Sequence, residues 1–270
     1  MIQPGHAARR SIVAGVALAG FLLFPSLGLV QKYLGTAAAY AYFAVGALVL
    51  IAVSVRGLAV ASRLVVIDRR WIRFTMAALF GSLVIAFIVL QPSFNAQSAS
   101  STSHVGIGGS DRDESLRVGV REMLAGRYPY YRETRLQNTV TQLPGSLLRA
   151  APFELLGNAT WQNVFWLGAW FVVVRWLFGG DQLALGFIGL VLFASPVVLK
   201  DFVTGSDLAA DAIAILIGIL ALVRVARDAS ASTWQKIAAG VFTGIALSSR
   251  LNYLLLVPLL FAALTQRAGL

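Results

Sequence analysis

Residues 37–55 read AAAYAYFAVGALVLIAVSV and carry no charged side chain; Arg56 follows at once. A helix needs roughly 20 apolar residues to cross about 30 Å of hydrocarbon, and this run has that length and composition. Working outward, similar runs lie near 12–30 and 73–91, then near 160–178, 183–199 and 207–225. Two shorter ones follow near 236–249 and 251–266, split by Ser248-Ser249-Arg250. The expected fold is all-α: a polytopic bundle of about eight transmembrane helices forming one membrane domain over residues 1–270. The last two runs read as short helices meeting at the outer face, or as one broken span.

Composition agrees. The 270 residues are 58% hydrophobic and 13% charged, with a mean hydropathy of +0.76. A soluble domain carries about a quarter charged residues, so too few remain here to solvate an exterior, and lipid is the natural solvent. No cysteine is present, which excludes disulfides, thiolate metal sites and a cysteine nucleophile. With His6 and His104 the only histidines, a multi-histidine metal site is excluded as well. The net charge of +10 does not indicate nucleic acid, because the basic residues gather at the ends of apolar runs.

The N-terminus has features of a secretory signal: Arg9-Arg10, an apolar stretch, and Ala39-Tyr40-Ala41 as a cleavage-like site. The stretch is too long for a signal core and more spans follow, so a retained first helix is expected. Sidedness follows from the Lys and Arg flanking the spans. With the N-terminus inside, twelve basic residues fall on the inner side: Arg9, Arg10, Arg56, Arg63, Arg69, Arg70, Arg73, Arg175, Arg224, Arg227, Lys236 and Arg267. The short outer turns hold three, Lys32, Lys200 and Arg250. Residues 92–159 then form one large extracytoplasmic loop, and a bacterial inner membrane with a cytoplasmic N-terminus is the expected location.

That loop contains seven arginines and six acids. Gln97 to Gly109 is rich in Ser and Gly and reads as flexible. A helix signal follows, with Ser110 and Asp113 spaced as a capping box and Gly126 as a stop. Leu116, Val120, Met123 and Leu124 form an apolar stripe, so the helix is expected to lie in the membrane interface. A second interfacial helix is expected over Leu147 to Leu156, after Pro144-Gly145 and before Gly157. No repeat period stands out.

Chemistry can be sought in three places. Asp111, Asp113 and Glu114 are the densest acidic group. A glycosyl transfer to a hydroxyl needs a carboxylate to take the acceptor proton, and Asp111 with Asp113 could instead hold a divalent cation. Against both stands a helix start whose acids complement the dipole. Beside them, Arg127-Tyr128-Pro129-Tyr130-Tyr131 offers rings that suit the interface or stack on sugars, and a guanidinium for a lipid phosphate. The second place is Lys200 to Asp211. Asp207 and Asp211 are one turn apart and share a helix face, Asp211 deeper in the membrane, where an ionisable group is a functional candidate by default. The alternatives are an N-cap for Asp207 and a boundary ion pair for Asp211. The third is Arg250, with Ser248, Ser249 and Asn252 around it, able to hold a phosphate or simply to snorkel. The sequon Asn158-Ala159-Thr160 matters only in a eukaryotic lumen, and Gly106-Ile107-Gly108-Gly109 lacks the preceding strand that a nucleotide site needs.

These motifs resemble the GT-C superfamily of integral-membrane glycosyltransferases, especially bacterial members that use polyprenol-phosphate mannose. The matching residues are the acids at 111, 113 and 114, then Leu124 to Tyr130, Pro144 to Leu148 and Pro152 to Gly157. Gly205-Ser206-Asp207 at the head of a span and the run from Gly240 to Leu256 complete the pattern, over roughly residues 105–265. The resemblance implies an inverting transfer from a polyprenyl-phosphate-linked sugar on the extracytoplasmic face. Asp111 or Asp113 would be the base, and Arg250 or Lys200 would face the lipid phosphate. Family members usually carry the large loop after the first span and run longer, so the chain reads as a short or truncated relative. The competing readings are a transporter or lipid flippase lined by Asp211 and Arg250, and a scaffold whose outer loop binds a partner. Membrane lipids are expected partners in every case; no cofactor is implied beyond a divalent cation.

Overall fold

A computed structural model describes residues 4–57, 68–100, 111–134 and 136–265. His104, Ser110 of the expected capping box, and the glycine run 106–109 lie outside the described residues. The described chain is helical; its one β feature is an isolated bridge between Glu133 and Thr139. The helices are α1 (Pro4–Leu34), α2 (Thr36–Arg56), α3 (Arg69–Ser100), α4 (Arg112–Leu124) and α5 (Pro144–Leu155). After them come α6 (Gln162–Phe178), α7 (Asp181–Ala194), α8 (Pro196–Val203), α9 (Leu208–Arg227), α10 (Thr233–Leu247) and α11 (Leu256–Thr265).

Three stretches are long and apolar enough to cross a membrane: Thr36–Val55, Arg69–Gln91 and Leu208–Arg227. Two bent pairs, within α1 and across α7–α8, raise the number to five if each is one span. The other expected spans are shorter: α6 has 17 residues, α10 has 15, and α11 has 10 after a 3₁₀ turn at Leu251–Leu255. The described chain is thus helical, with three to five stretches long and apolar enough to cross a membrane. The segment expected to be flexible from Gln97 is partly helical, since α3 continues to Ser100.

The chain divides into two compact units. One comprises residues 1–83 and 171–200, the other residues 84–170 and 201–270. In the first unit, α1 and α2 form a hairpin joined by Gly35 alone, which takes φ +87°. They approach closely because Gly46 leaves room for Leu23 and Gly15 lies against the backbone of Ile51. Ala19, Leu23, Leu50 and Ala194 form the buried core. α1 bends by 41° after Gly20, where the ring of Pro25 conflicts with the carbonyl four residues earlier.

The run expected to span 183–199 is broken by Pro196, and α7 and α8 meet at 85°. A break frees backbone groups that lipid cannot satisfy. Here the Tyr42 hydroxyl donates to the Ala194 carbonyl at 2.7 Å, and the Val197 N–H donates to Ser26 Oγ at 3.2 Å.

In the second unit, α4 packs on α5 around Leu116, Val120, Leu147, Ala150 and Ala159. This corrects the expectation of an interfacial α4: Leu116 and Val120 are fully buried by protein, and only Leu124 of the stripe is exposed. On α5, Leu148 and Leu155 stay exposed, as does Leu156 just past its end, so that helix keeps an outward apolar face. Gly126 and Gly157, both at positive φ, end the two helices as expected. A second core joins Trp166 of α6 to Ala210, Ala214 and Ile215 of α9 and Ala246 of α10. Gly218 and Thr243 bring α9 and α10 together, with Thr243 Oγ1 2.9 Å from the Gly218 carbonyl. α5 meets the end of α10 at Gly145, where a Cβ would fall 2.0 Å from the Ile245 carbonyl oxygen. No side chain fits there.

Candidate functional site

That close approach delivers Ser146 and Arg149 of α5 to the head of α9. Asp207 and Asp211 are fully buried there and share a face, as their spacing predicts. Asp207 sits at the N-cap position of α9 but makes no side-chain cap bond. Its carboxylate accepts instead from Arg250 Nη2 at 2.7 Å and from Ser146 Oγ at 2.9 Å. Asp211 accepts from Arg250 Nε at 2.9 Å and pairs with the Arg149 guanidinium. Ser146 Oγ lies 3.1 Å from Asp211 as well, so one hydroxyl proton faces two carboxylates. Arg149 also reaches Ser249 Oγ and lies over the Trp166 ring, 5.6 Å from its centroid. Arg112, at the start of α4, brings a third guanidinium to 4.0 Å from Asp207.

The physical logic is forced by the solvent. A carboxylate buried among apolar helices is tolerated only when paired and hydrogen-bonded. Two acids against Arg149 and Arg250 meet that condition, and three chain segments, α5, the head of α9 and the turn after α10, must come together to do it. Burial acts to lower the pKa of Arg250, but the facing carboxylates outweigh it and the net shift is upward, so this residue stays charged. Its side chain keeps 22% exposure, whereas that of Arg149 has 4%. Arg250 is therefore the arginine of this pair that an incoming anion can meet.

The acids of α4 lie on the next layer. Asp111 Oδ2 accepts from Thr134 Oγ1 at 2.6 Å and from Asn138 Nδ2 at 2.8 Å. The loop carrying those two residues is itself held to α4, since Gln142 binds Ser115 Oγ and the Arg112 carbonyl. Asp111 is the N-cap residue of α4, so the helix starts one residue after the position that a Ser110 cap would give. Asp113 is buried, its Cβ 3.3 Å from where a Cβ on Gly205 would stand, two residues before Asp207. Gly205 holds φ +78° in that turn, and a side chain there would press on both Asp113 and Thr160. Glu114 is half-buried on the same helix turn.

The remaining candidates go elsewhere. Arg127 is tied to Glu122 through Nε and Nη2, so its guanidinium faces a carboxylate in the last turn of α4. That hydrogen bond holds the Glu122 carboxyl below its usual range and raises Arg127 in turn. Tyr128 contacts the rings of Tyr130 and Tyr131 at 5.2 and 4.6 Å. Tyr130 packs on the α4–α5 core, and burial pushes its hydroxyl pKa up, while Tyr128 and Tyr131 are exposed. Lys200 belongs to the other compact unit. Among the described residues no group of three or more Asp, Glu, His or Cys side chains could hold a metal ion, and one oxygen of Asp111 is already spent on Thr134 and Asn138.

Arg149 is the central residue that sequence reasoning passed over. Its signal was present: a lone cation inside the apolar run Leu147–Leu156. Ser146 gave none, because nothing in its neighbourhood marks a serine that will bridge residues more than 60 positions away. The chain matches no protein-family model, no curated protein and no solved structure.

Proposed function

We propose that the chain is a membrane glycosyltransferase that moves a sugar from a polyprenyl-phosphate donor to an acceptor on the extracytoplasmic face. One observation supports the reading above others: the acid-bearing start of α4, the Gly205–Asp207 turn and the arginine after α10 gather at one end of the apolar helices. Charge counting puts these three segments on the same side of the membrane, and a transfer site needs its base and its phosphate cation together.

In this reading Asp111 is the general base. Two neutral donors fix one of its oxygens, which orients the other towards an acceptor hydroxyl. Arg250 and Arg112 face the lipid phosphate and stabilise the charge that develops as the glycosyl bond breaks. Asp207, Asp211 and Arg149 hold Arg250 in place without touching substrate. An inverting displacement follows: the acceptor oxygen attacks the anomeric carbon, its proton passes to Asp111, and the polyprenyl phosphate leaves with the bonding electrons.

The test is release of polyprenyl phosphate from a polyprenyl-phosphate sugar in proteoliposomes containing the full chain. Asp111→Asn is expected to lower turnover by about 10²–10⁴-fold, the usual contribution of a positioned base, with folded protein retained. Wild-type turnover in Asp111→Asn would exclude the mechanism. A flippase or transporter would also use buried Asp211, but it needs ionisable groups through the bilayer depth. On α9, the other charged side chains among the described residues are Arg224 and Arg227 of its last turn.

A further inference from the structure

The first compact unit holds a cavity that the proposed transfer does not use. It measures about 420 Å³, in the range of small-ligand sites, and is lined by Arg69, Arg73, Arg175, Trp176, Asp181 and the Gly179-Gly180 turn, with Val172 at its edge. Three arginines face one carboxylate, leaving two positive charges in excess. Asp181, 7% exposed, is shared between Arg73 Nε at 2.8 Å and Arg175 Nε, which fixes two guanidinium planes at the cavity wall. Among the described residues the Arg69 side chain makes no ion pair or hydrogen bond, while its neighbour Arg70 is held by Asp68. Two guanidiniums fixed on one carboxylate, beside a third that no described residue pairs, suit a tetrahedral oxyanion, which they can grip through several charge-assisted hydrogen bonds.

The position tells which oxyanion. Arg69 and Arg73 occupy the first turn and a half of the membrane-crossing stretch Arg69–Gln91, and Arg175 lies in the last turn of α6. Val172 is 68% exposed and Trp176 54%, so two of the cavity's lining side chains present apolar surface outward, one of them an indole. On the other face of the same turn of α3, Trp71 and Phe74 are exposed and pack edge to face at 6.0 Å. Exposed Trp and Phe beside arginines mark headgroup depth, where aromatic belts form. A phosphate at that depth with acyl chains along Val172 and Trp176 is a lipid. We infer that this cavity binds the phosphate of an anionic phospholipid headgroup, with Arg69 as the clamp that closes on it and Arg73 and Arg175 as its preset floor.

The experiment uses the full chain in detergent, with phosphatidylglycerol and phosphatidylcholine added as an equal mixture and retained lipid read by native mass spectrometry. Phosphatidylglycerol is expected to be held about tenfold over phosphatidylcholine, the order expected for one charge-assisted hydrogen bond. Arg69→Gln, which disturbs no partner, should remove that preference, and Arg69→Lys should restore part of it. Trp176→Ala should weaken both lipids alike. Equal retention of the two lipids, or an unchanged preference in Arg69→Gln, would overturn the inference. Loss of phosphatidylglycerol to millimolar inorganic phosphate, with Trp176→Ala without effect, would also overturn it in favour of a soluble phosphate.

Discussion

Each compact unit builds a carboxylate between two arginines, and the two versions behave as different chemistry. Asp211 sits between Arg149 and Arg250 with no exposure, at the head of a helix long and apolar enough to cross a membrane. Asp181 sits between Arg73 and Arg175, which keep 55% and 54% of their side-chain surface. The parts are the same and the surroundings are not. In the buried cluster every charge must be matched and every approach is fixed by packing. In the half-exposed one water shares the work, so an arginine can turn to another anion without unfolding its neighbours. The buried network therefore specifies how helices meet and leaves one partly exposed arginine, Arg250, to an anion, while the open one leaves two.

The strongest way to break this contrast is Arg149→Met. Removing one partner leaves two buried carboxylates, Asp207 and Asp211, to share Arg250, and up to about 3–5 kcal/mol of stability should be lost, read as thermal unfolding in detergent. Adding Asp211→Asn to that variant should recover part of the loss; no recovery would mean that Arg149 acts by packing on Trp166 instead. Gly145→Ala comes next. Its Cβ cannot coexist with the Ile245 carbonyl, so α5 must back away, costing about 1–3 kcal/mol and loosening the contacts of Ser146 and Arg149 with Asp211. An undiminished melting temperature would show that α5 does not depend on this contact. The smallest effect belongs to Asp181→Asn, worth less than about 1 kcal/mol per pair lost and shrinking further as salt is raised. A salt-independent loss as large as that of Arg149→Met would erase the difference between the two clusters.

Much of the second unit was legible residue by residue. The spacing of Asp207 and Asp211 gave their common face, Gly126 and Gly157 gave helix ends, and Leu116 with Val120 marked an apolar stripe on α4. Arg250 was visible as a cation at the outer end of two helices. What covers each face was not legible. Local periodicity says that a stripe is apolar, not whether lipid or α5 will meet it, and α4 was read as interfacial for that reason. Partners such as Arg149 with Asp211 are separated by 62 positions and are chosen by packing, which Gly145 permits. The break at Pro196 had a plain signal in the ring itself, outweighed by the hydrophobicity of the residues around it. The Asp181 cluster was read only as basic residues flanking spans, because counting charges records their side of the membrane and not their company.

The single-residue link at Gly35 has a consequence for sequence tolerance. With one residue between Leu34 and Thr36, the reversal of direction falls on that backbone alone. A side chain at its positive φ would cost about 1–2 kcal/mol. Relieving that strain by shifting one helix along the other would pull Leu23 off Gly46 and Gly15 off Ile51, so one glycine sets the register of the whole hairpin.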